Sequence, residues 1–240
     1  MPPEGFKPFL QRVEALKQEC CLKLYNANRQ SIQIKKEKTI AKNMERIFAA
    51  ALKISNAKSF HAMSMRDLSR EADMSTGALY NYFAGKEALL RLMQQQRRTV
   101  TREILSADIA AGRNPLEKLR TAIRSHLYLS EIMQPWFYFS YMEAKNLDPE
   151  ERRAAVESEL STEQQFTDIL EAGCAQGLFQ TTDCRMTASL IKAMLQDWYL
   201  KRAKYARRGI GVDQYTRYLT AFLEKNLCVN NDASMQGGKR

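Results

Sequence analysis

The chain has 240 residues, 45% of them hydrophobic, with 37 Lys and Arg against 27 Asp and Glu, a net charge of +10. That apolar fraction can build a core, which excludes global disorder, and the length suits one large domain or two small ones. No apolar run approaches the roughly 18 residues that cross a bilayer, so an integral helical membrane protein is not expected. The opening residues, Met1 to Lys7, lack a basic-then-apolar leader. The five cysteines are odd in number and form no Cys-x-x-Cys pair. They predict reduced thiols in a cytoplasm rather than disulfides or a cysteine-built metal site.

The charge is uneven along the chain. Residues 1–100 carry 18 basic and 9 acidic side chains, a net of +9, and the remainder is close to neutral. A basic half joined to a neutral one suggests a polyanion-binding module beside a domain with another task. Nucleic acid, an anionic membrane surface and a merely solvated basic face all stay open on charge alone.

Glycine and proline are scarce, at 10 and 6, and no proline falls between 9 and 114 or after 149. Period-2 alternation is missing, so the chain is predicted to be all-α. A first helix over about 6–34 carries Phe9, Val13, Leu16, Cys20 and Leu24 as one apolar stripe. The basic junction Lys35-Lys-Glu-Lys38 leads to a second helix over about 39–57. Ser64 and Asp67 fit a capping box opening a short helix over 65–72. Asp73-Met74 is a turn, Ser75 caps a helix to about Tyr82, and Lys86 begins a long helix to about Leu105. Further helices fit 115–132, 135–146, 150–176, 184–207 and 213–227, with Asn114, Asp148, Asp183 and Asp213 near their starts. The stretch 229–240 reads as a flexible tail.

Two short helices across a tight turn, preceded by a longer one, form the layout of a helix-turn-helix, and it lies in the basic half. The residues match more than layout. Met65-Arg-Asp-Leu-Ser-Arg-Glu-Ala-Asp73, Met74-Ser-Thr-Gly-Ala-Leu-Tyr-Asn-Tyr-Phe83 and Gly85-Lys-Glu-Ala-Leu-Leu90 resemble the tetracycline-repressor (TetR) family of bacterial transcription factors, over about residues 39–93. Asp73 stands where that family has Gly, and Ala78 where it commonly has Thr. The 38 residues before the first family helix exceed the usual short arm.

Leu68, Ala72, Met74, Leu79 and Phe83 are spaced to pack the two short helices together. Ser75, Thr76, Gly77, Tyr80, Asn81 and Tyr82 are left to face outward, and small residues at a helix start allow close approach to base edges in a major groove. Lys86 opposes the dipole of the helix it opens, so it reads as a phosphate anchor. The resemblance favours DNA as the partner of Arg66, against an ion pair with Asp67 or Glu71. Ser64 caps its helix and is also a candidate phosphate contact. Lys35, Lys36, Lys38 and Lys42 are equally compatible with DNA backbone and with solvent.

The resemblance implies that the carboxy-terminal helices bind a small effector and form a homodimer. The aromatic block 135–141 offers Trp136, Phe137, Phe139 and Tyr141 as effector contacts, with His126 and Phe166; plain core packing is the competing reading. Leu190, Met194, Trp198, Tyr215, Leu219 and Phe222, at helical spacing on the last two helices, are the expected dimer face. The cluster Lys201-Arg-Ala-Lys-Tyr-Ala-Arg-Arg208 suits either an anionic effector or a helix C-terminus.

The expected organisation is an N-terminal extension over 1–38, a helix-turn-helix DNA-binding domain over 39–92, an effector-binding and dimerisation domain over 93–228, and a tail over 229–240. The expected function is a homodimeric, cytoplasmic repressor, released from a palindromic double-stranded DNA operator by a small apolar or aromatic effector. No metal and no cofactor are expected. An enzyme is disfavoured because His61 and His126 stand alone and no nucleotide-binding or hydrolase motif occurs. The alternative is a basic helical adaptor or membrane-surface module.

Overall fold

The computed structural model describes residues 5–27 and 37–229. Lys35 and Lys36, and the tail from residue 230 on, lie outside the described residues, as does the Lys38 side chain. The elements are α1 (Phe6–Ala27), α2 (Glu37–Lys58), α3 (Met65–Glu71), α4 (Thr76–Tyr80), α5 (Lys86–Ala110), α6 (Pro115–Ile132) and α7 (Gln134–Glu143). A 3-10 turn (Ala144–Asn146), α8 (Pro149–Ala175), α9 (Cys184–Leu200), α10 (Arg202–Arg207) and α11 (Val212–Leu227) follow. Among the described residues the sole extended pairing is one bridge between Phe179 and Cys228.

Local chemistry sets the helix ends. The Glu117, Glu151 and Met186 amides donate to the side chains of Asn114, Asp148 and Asp183, which satisfies amides that the first helical turn leaves open. The start of α11 differs from expectation: its cap is Gly211, and Asp213 sits in the first turn. One correction is larger. The helix expected over 184–207 breaks at Lys201, where the backbone leaves the helical region (φ −114°, ψ 32°). Asp197, one turn before the break, binds Lys201 and Lys204 at 2.6 Å each and accepts a hydrogen bond from the Tyr205 hydroxyl. Three donors converging on one carboxylate favour that bend over a straight helix.

The chain divides into two compact units: Met1–Ile104 with Tyr128–Glu159, and Leu105–Leu127 with Leu160–Arg240. In the first, α1 lies along α2, and α2 to α4 form a three-helix head. Phe48 and Phe60 of the head meet Trp136 and Phe139 of α7, with ring centroids 5.4 and 5.6 Å apart. The Phe60 amide donates to the buried Glu143 carboxylate at 3.2 Å. In the second unit Trp198, Tyr205 and Tyr215 form a ring cluster with centroids 4.9–5.3 Å apart, and Arg120 forks onto Glu224. The Phe179 ring lies so close over Gly173 that a β-carbon there would stand 2.0 Å from it.

Candidate nucleic-acid interface

The reading head is built from its caps inward. Ser64 accepts from the Asp67 amide, and the Asp67 carboxylate accepts from the Ser64 amide and hydroxyl, a complete capping box. These bonds from Ser64, aided by Lys58 at 2.9 Å, hold the Asp67 carboxyl well below the usual carboxylate range. Ser75 accepts from the Ala78 amide and caps α4. Between the helices, Asp73 adopts the left-handed conformation (φ 47°), which a short polar side chain tolerates. The Ser69 hydroxyl closes the turn on the Met74 carbonyl at 2.6 Å. Leu68, Ala72, Leu79 and Phe83 are buried between the helices, and Met74 is half-buried.

α2 staples this motif through side chains that sequence spacing did not single out. Arg46 donates from Nε to the Ala72 carbonyl at 2.7 Å and from Nη2 to the Asp73 carbonyl. Lys53 pairs with Glu71 at 2.6 Å. The missed signal is a basic residue at 46, 53 and 58 on the helix that precedes the motif.

Ser64, Arg66, Ser75, Gly77, Tyr80 and Asn81 are exposed, and Thr76 is half-buried. Tyr80 is 50% exposed. A β-carbon at Gly77 would meet nothing within 4 Å, so the start of α4 presents bare backbone. Tyr82 departs from expectation. Its ring is buried and its hydroxyl accepts from Asn43 Nδ2 at 2.7 Å. It lies past the end of α4, where the chain turns back toward the core. Lys86 also has protein partners: its ammonium donates to the His61 carbonyl at 2.7 Å and the Met63 carbonyl at 3.4 Å. Those carbonyls offset its unfavourable place at a helix start.

The effector candidates are distributed over both units. Trp136, Phe137 and Phe139 are buried, and each has a packing partner in its own unit: Phe48, the Arg97 guanidinium and Phe60. These rings pack α7 on the head and on α5. Tyr141 is 55% exposed. His126 and Phe166 are buried in the second unit.

The dimer candidates divide by exposure. Leu190 and Phe222 are exposed, as are Met186 and Tyr218 one helical turn before them, while Met194 and Tyr215 are half-buried. Trp198 and Leu219 do not face outward: Trp198 is enclosed by its ring partners and by the Arg202 guanidinium at 4.7 Å, and Leu219 is buried. Met194, Tyr215, Tyr218 and Phe222 line an apolar cavity of about 450 Å³ between α9, α10 and α11, with Arg208 in its wall. Of the basic cluster at 201–208, Lys201 and Lys204 are held by Asp197. Burial raises the Asp197 carboxyl, but bonds from Lys201, Lys204 and Tyr205 outweigh it and hold it down at about 2.

Comparison with known proteins agrees with this head. Residues 47–93 match the family model for bacterial regulatory proteins of the tetR family, and residues 112–220 match that for the tetracyclin repressor-like C-terminal domain. The chain is 21% identical over 171 residues to the HTH-type transcriptional regulator HbdR of Aromatoleum sp. (strain CIB), covering 71% of this chain and 75% of that one. A bacterial regulatory protein in the tetR family from Rhodococcus RHA1 superposes with a TM-score of 0.68 at 23% identity, over 79% of this chain and 99% of that chain. AibR, solved in complex with isovaleryl coenzyme A and operator DNA, gives a TM-score of 0.66 at 19% identity, over 75% and 97%. With both halves matched in order around a capped helix-turn-helix, the chain belongs to the tetracycline-repressor (TetR) family of bacterial transcriptional regulators.

Proposed function

We propose that the chain acts as a homodimeric repressor that binds a palindromic operator and leaves it when a small apolar or aromatic effector binds its C-terminal half. The observation that carries this reading is α4: capped by Ser75, bare at Gly77, and flanked by exposed Arg66, Tyr80 and Asn81. A helix start without bulk can reach base edges, while hydroxyls and guanidinium groups bind phosphates or guanine. Ser64 and Thr76 border that surface. Lys86 supports it at one remove by fixing the loop before α3 to the start of α5.

Pairing is assigned to the outer faces of α9 and α11, where Met186, Leu190, Tyr218 and Phe222 expose apolar surface next to the cavity. Exposed large apolar side chains gathered on two helices suit an interaction site. A two-fold dimer would set two recognition helices about 34–36 Å apart, one helical turn of DNA. In this reading residues 39–92 bind DNA and 93–228 bind effector and pair. The effector class takes support from AibR, whose bound isovaleryl coenzyme A carries an apolar acyl group.

The test is footprinting of purified protein on DNA from immediately upstream of its own coding region, with scrambled competitor and a salt series. The reading expects saturable protection of a palindrome that survives competitor and weakens on Tyr80→Ala. Binding that any DNA or anionic vesicle displaces equally, and that vanishes as salt rises, would overturn it. Release of the protected site then screens small acyl thioesters and aromatic acids as effectors.

A further inference from the structure

α1 precedes both matched regions of the chain, yet it is bound into the unit that contains the reading head. Its buried face, Phe9, Val13, Cys20, Cys21, Leu24 and Tyr25, does more than cover α2. At its C-terminal end the Tyr25 ring meets the Tyr82 ring, with centroids 5.7 Å apart. Tyr82 is fixed to α2 through Asn43, and its amide donates to the Leu79 carbonyl of α4 at 2.9 Å. In the middle of α1, the Lys17 carbonyl and the Cys21 sulfur both accept from Nε2 of Gln96, a fully buried residue of α5, at 3.0 and 2.9 Å. At its N-terminal end Phe6 and Phe9 set their edges on Tyr128 of α6, at 5.2 and 5.6 Å.

One helix therefore touches the segment just past the recognition helix, the middle of α5 and the C-terminal part of α6. We infer that α1 is a brace that fixes the angle of the recognition helix on the body of its own unit, with Tyr25 and Gln96 as positioning residues for operator recognition. Resting on the dimeric reading above, the brace has a specific consequence. Two heads held at fixed angles accept one half-site spacing, whereas freed heads can follow half-sites that are moved apart. The brace thus sets spacing specificity without touching DNA.

The contact chemistry suits a permanent brace. The bond from Gln96 to Cys21 is buried and that to the Lys17 carbonyl part-buried, where a hydrogen bond is stronger than in water. Burial pushes the Cys20 and Cys21 thiols up to about 11 and about 12. Both are buried, so reagent reaches them only when α1 lifts away, and their labelling reports on docking.

The experiment measures affinity for the native operator and for versions with one or two base pairs inserted between the half-sites, using wild type, Tyr25→Phe, Tyr25→Ala and Gln96→Leu. Maleimide labelling of Cys20 and Cys21 follows α1 in parallel, and circular dichroism follows the fold. The brace expects wild type and Tyr25→Phe to lose at least tenfold in affinity per inserted pair. It expects Tyr25→Ala to bind the native operator more weakly and to lose less than threefold per insertion, with faster labelling. Gln96→Leu keeps the buried volume and is expected to show the same relaxed spacing, so it replaces Tyr25→Ala should that variant not fold. Variants whose cysteines label quickly but whose spacing discrimination equals wild type would overturn the brace alone. A wild type indifferent to spacing would also overturn the brace, whereas the dimeric reading fails if the wild type sediments as a monomer on the operator; the two failures are thus distinguishable.

Discussion

A methyl group at Gly77 would meet no protein atom within 4 Å, and alanine exceeds glycine in helix propensity by about 1 kcal/mol. Gly77→Ala is therefore expected to keep or raise the melting temperature while, in the proposed reading, operator affinity falls on the order of tenfold as the new carbon fills space that base edges would approach. Equal affinity for the two proteins would remove α4 from the groove. Tyr80 and Tyr82 should separate in the opposite sense. Tyr82→Phe deletes the acceptor of the Asn43 amide and is expected to cost about 1 kcal/mol in a denaturant titration. Tyr80→Phe, at an exposed hydroxyl, is expected to leave the titration unchanged and to weaken DNA binding. Asp67 adds a pH dependence. Its carboxyl is lowered in the folded chain, so the stability it contributes is present above the unfolded value of about 3.9 and is lost as pH falls below it. The melting-temperature advantage of wild type over Asp67→Asn should be full at pH 6 and shrink below about pH 4.

At the scale of elements, side chains of α2 add to the bonds that the turn makes within itself. Arg46 satisfies two backbone carbonyls of the turn. Arg46→Met keeps the aliphatic stem and leaves those carbonyls without their charged donor. It is expected to cost about 1.5–3 kcal/mol, and amide exchange should quicken in α3 and α4 before it does in α9. Unchanged exchange there would mean that the turn is held by its own bonds. The α9–α10 bend gives a second case. Its three donors depend on the Asp197 charge, which is held down at about 2. The carboxylate's contribution is therefore present above about pH 3.9 and lost between there and about pH 2.

At the scale of the molecule, the strongest expectation concerns pairing. Leu190 is 58% and Phe222 46% exposed, so Leu190→Glu with Phe222→Glu should be tolerated by the fold of a single chain. Charge on both faces of a self-complementary contact repels its copy. Sedimentation should then report a monomer, and operator affinity should fall well over tenfold, because one head makes few specific contacts. A double variant that remains a dimer would move the pairing face elsewhere. The first compact unit joins the head to α1 and α7, and Trp136 and Phe139 of the aromatic block pack on Phe48 and Phe60 of the head.

Local physics made much of this legible from residues alone. The Ser64–Asp67 box, the Ser75 cap, the Asp73 turn and the bounds of α6 depend on neighbours within four residues or on period 3.6, and they stand where spacing placed them. The order of motif residues from Arg66 to Leu90 was specific enough to indicate the family. Other features needed partners distant in sequence. Tyr82 alternates with Tyr80 along the chain, and only Asn43 and the Tyr25 ring decide that it turns inward. Trp198 has the spacing of a pairing residue, but the bend at Lys201 brings Tyr205 and Arg202 over it. Lys86 shows an unfavourable dipole locally and finds its carbonyls 23 and 25 residues away. The sequence by itself determined the all-α class, the Ser64, Ser75, Asn114, Asp148 and Asp183 caps and the two short helices of the head, because each rests on short-range bonds and periodicity. Tertiary structure alone decided the places where spacing was ambiguous, the inward turn of Tyr82, the enclosure of Trp198 and the bend at Lys201, since each depends on surfaces that meet from distant parts of the chain.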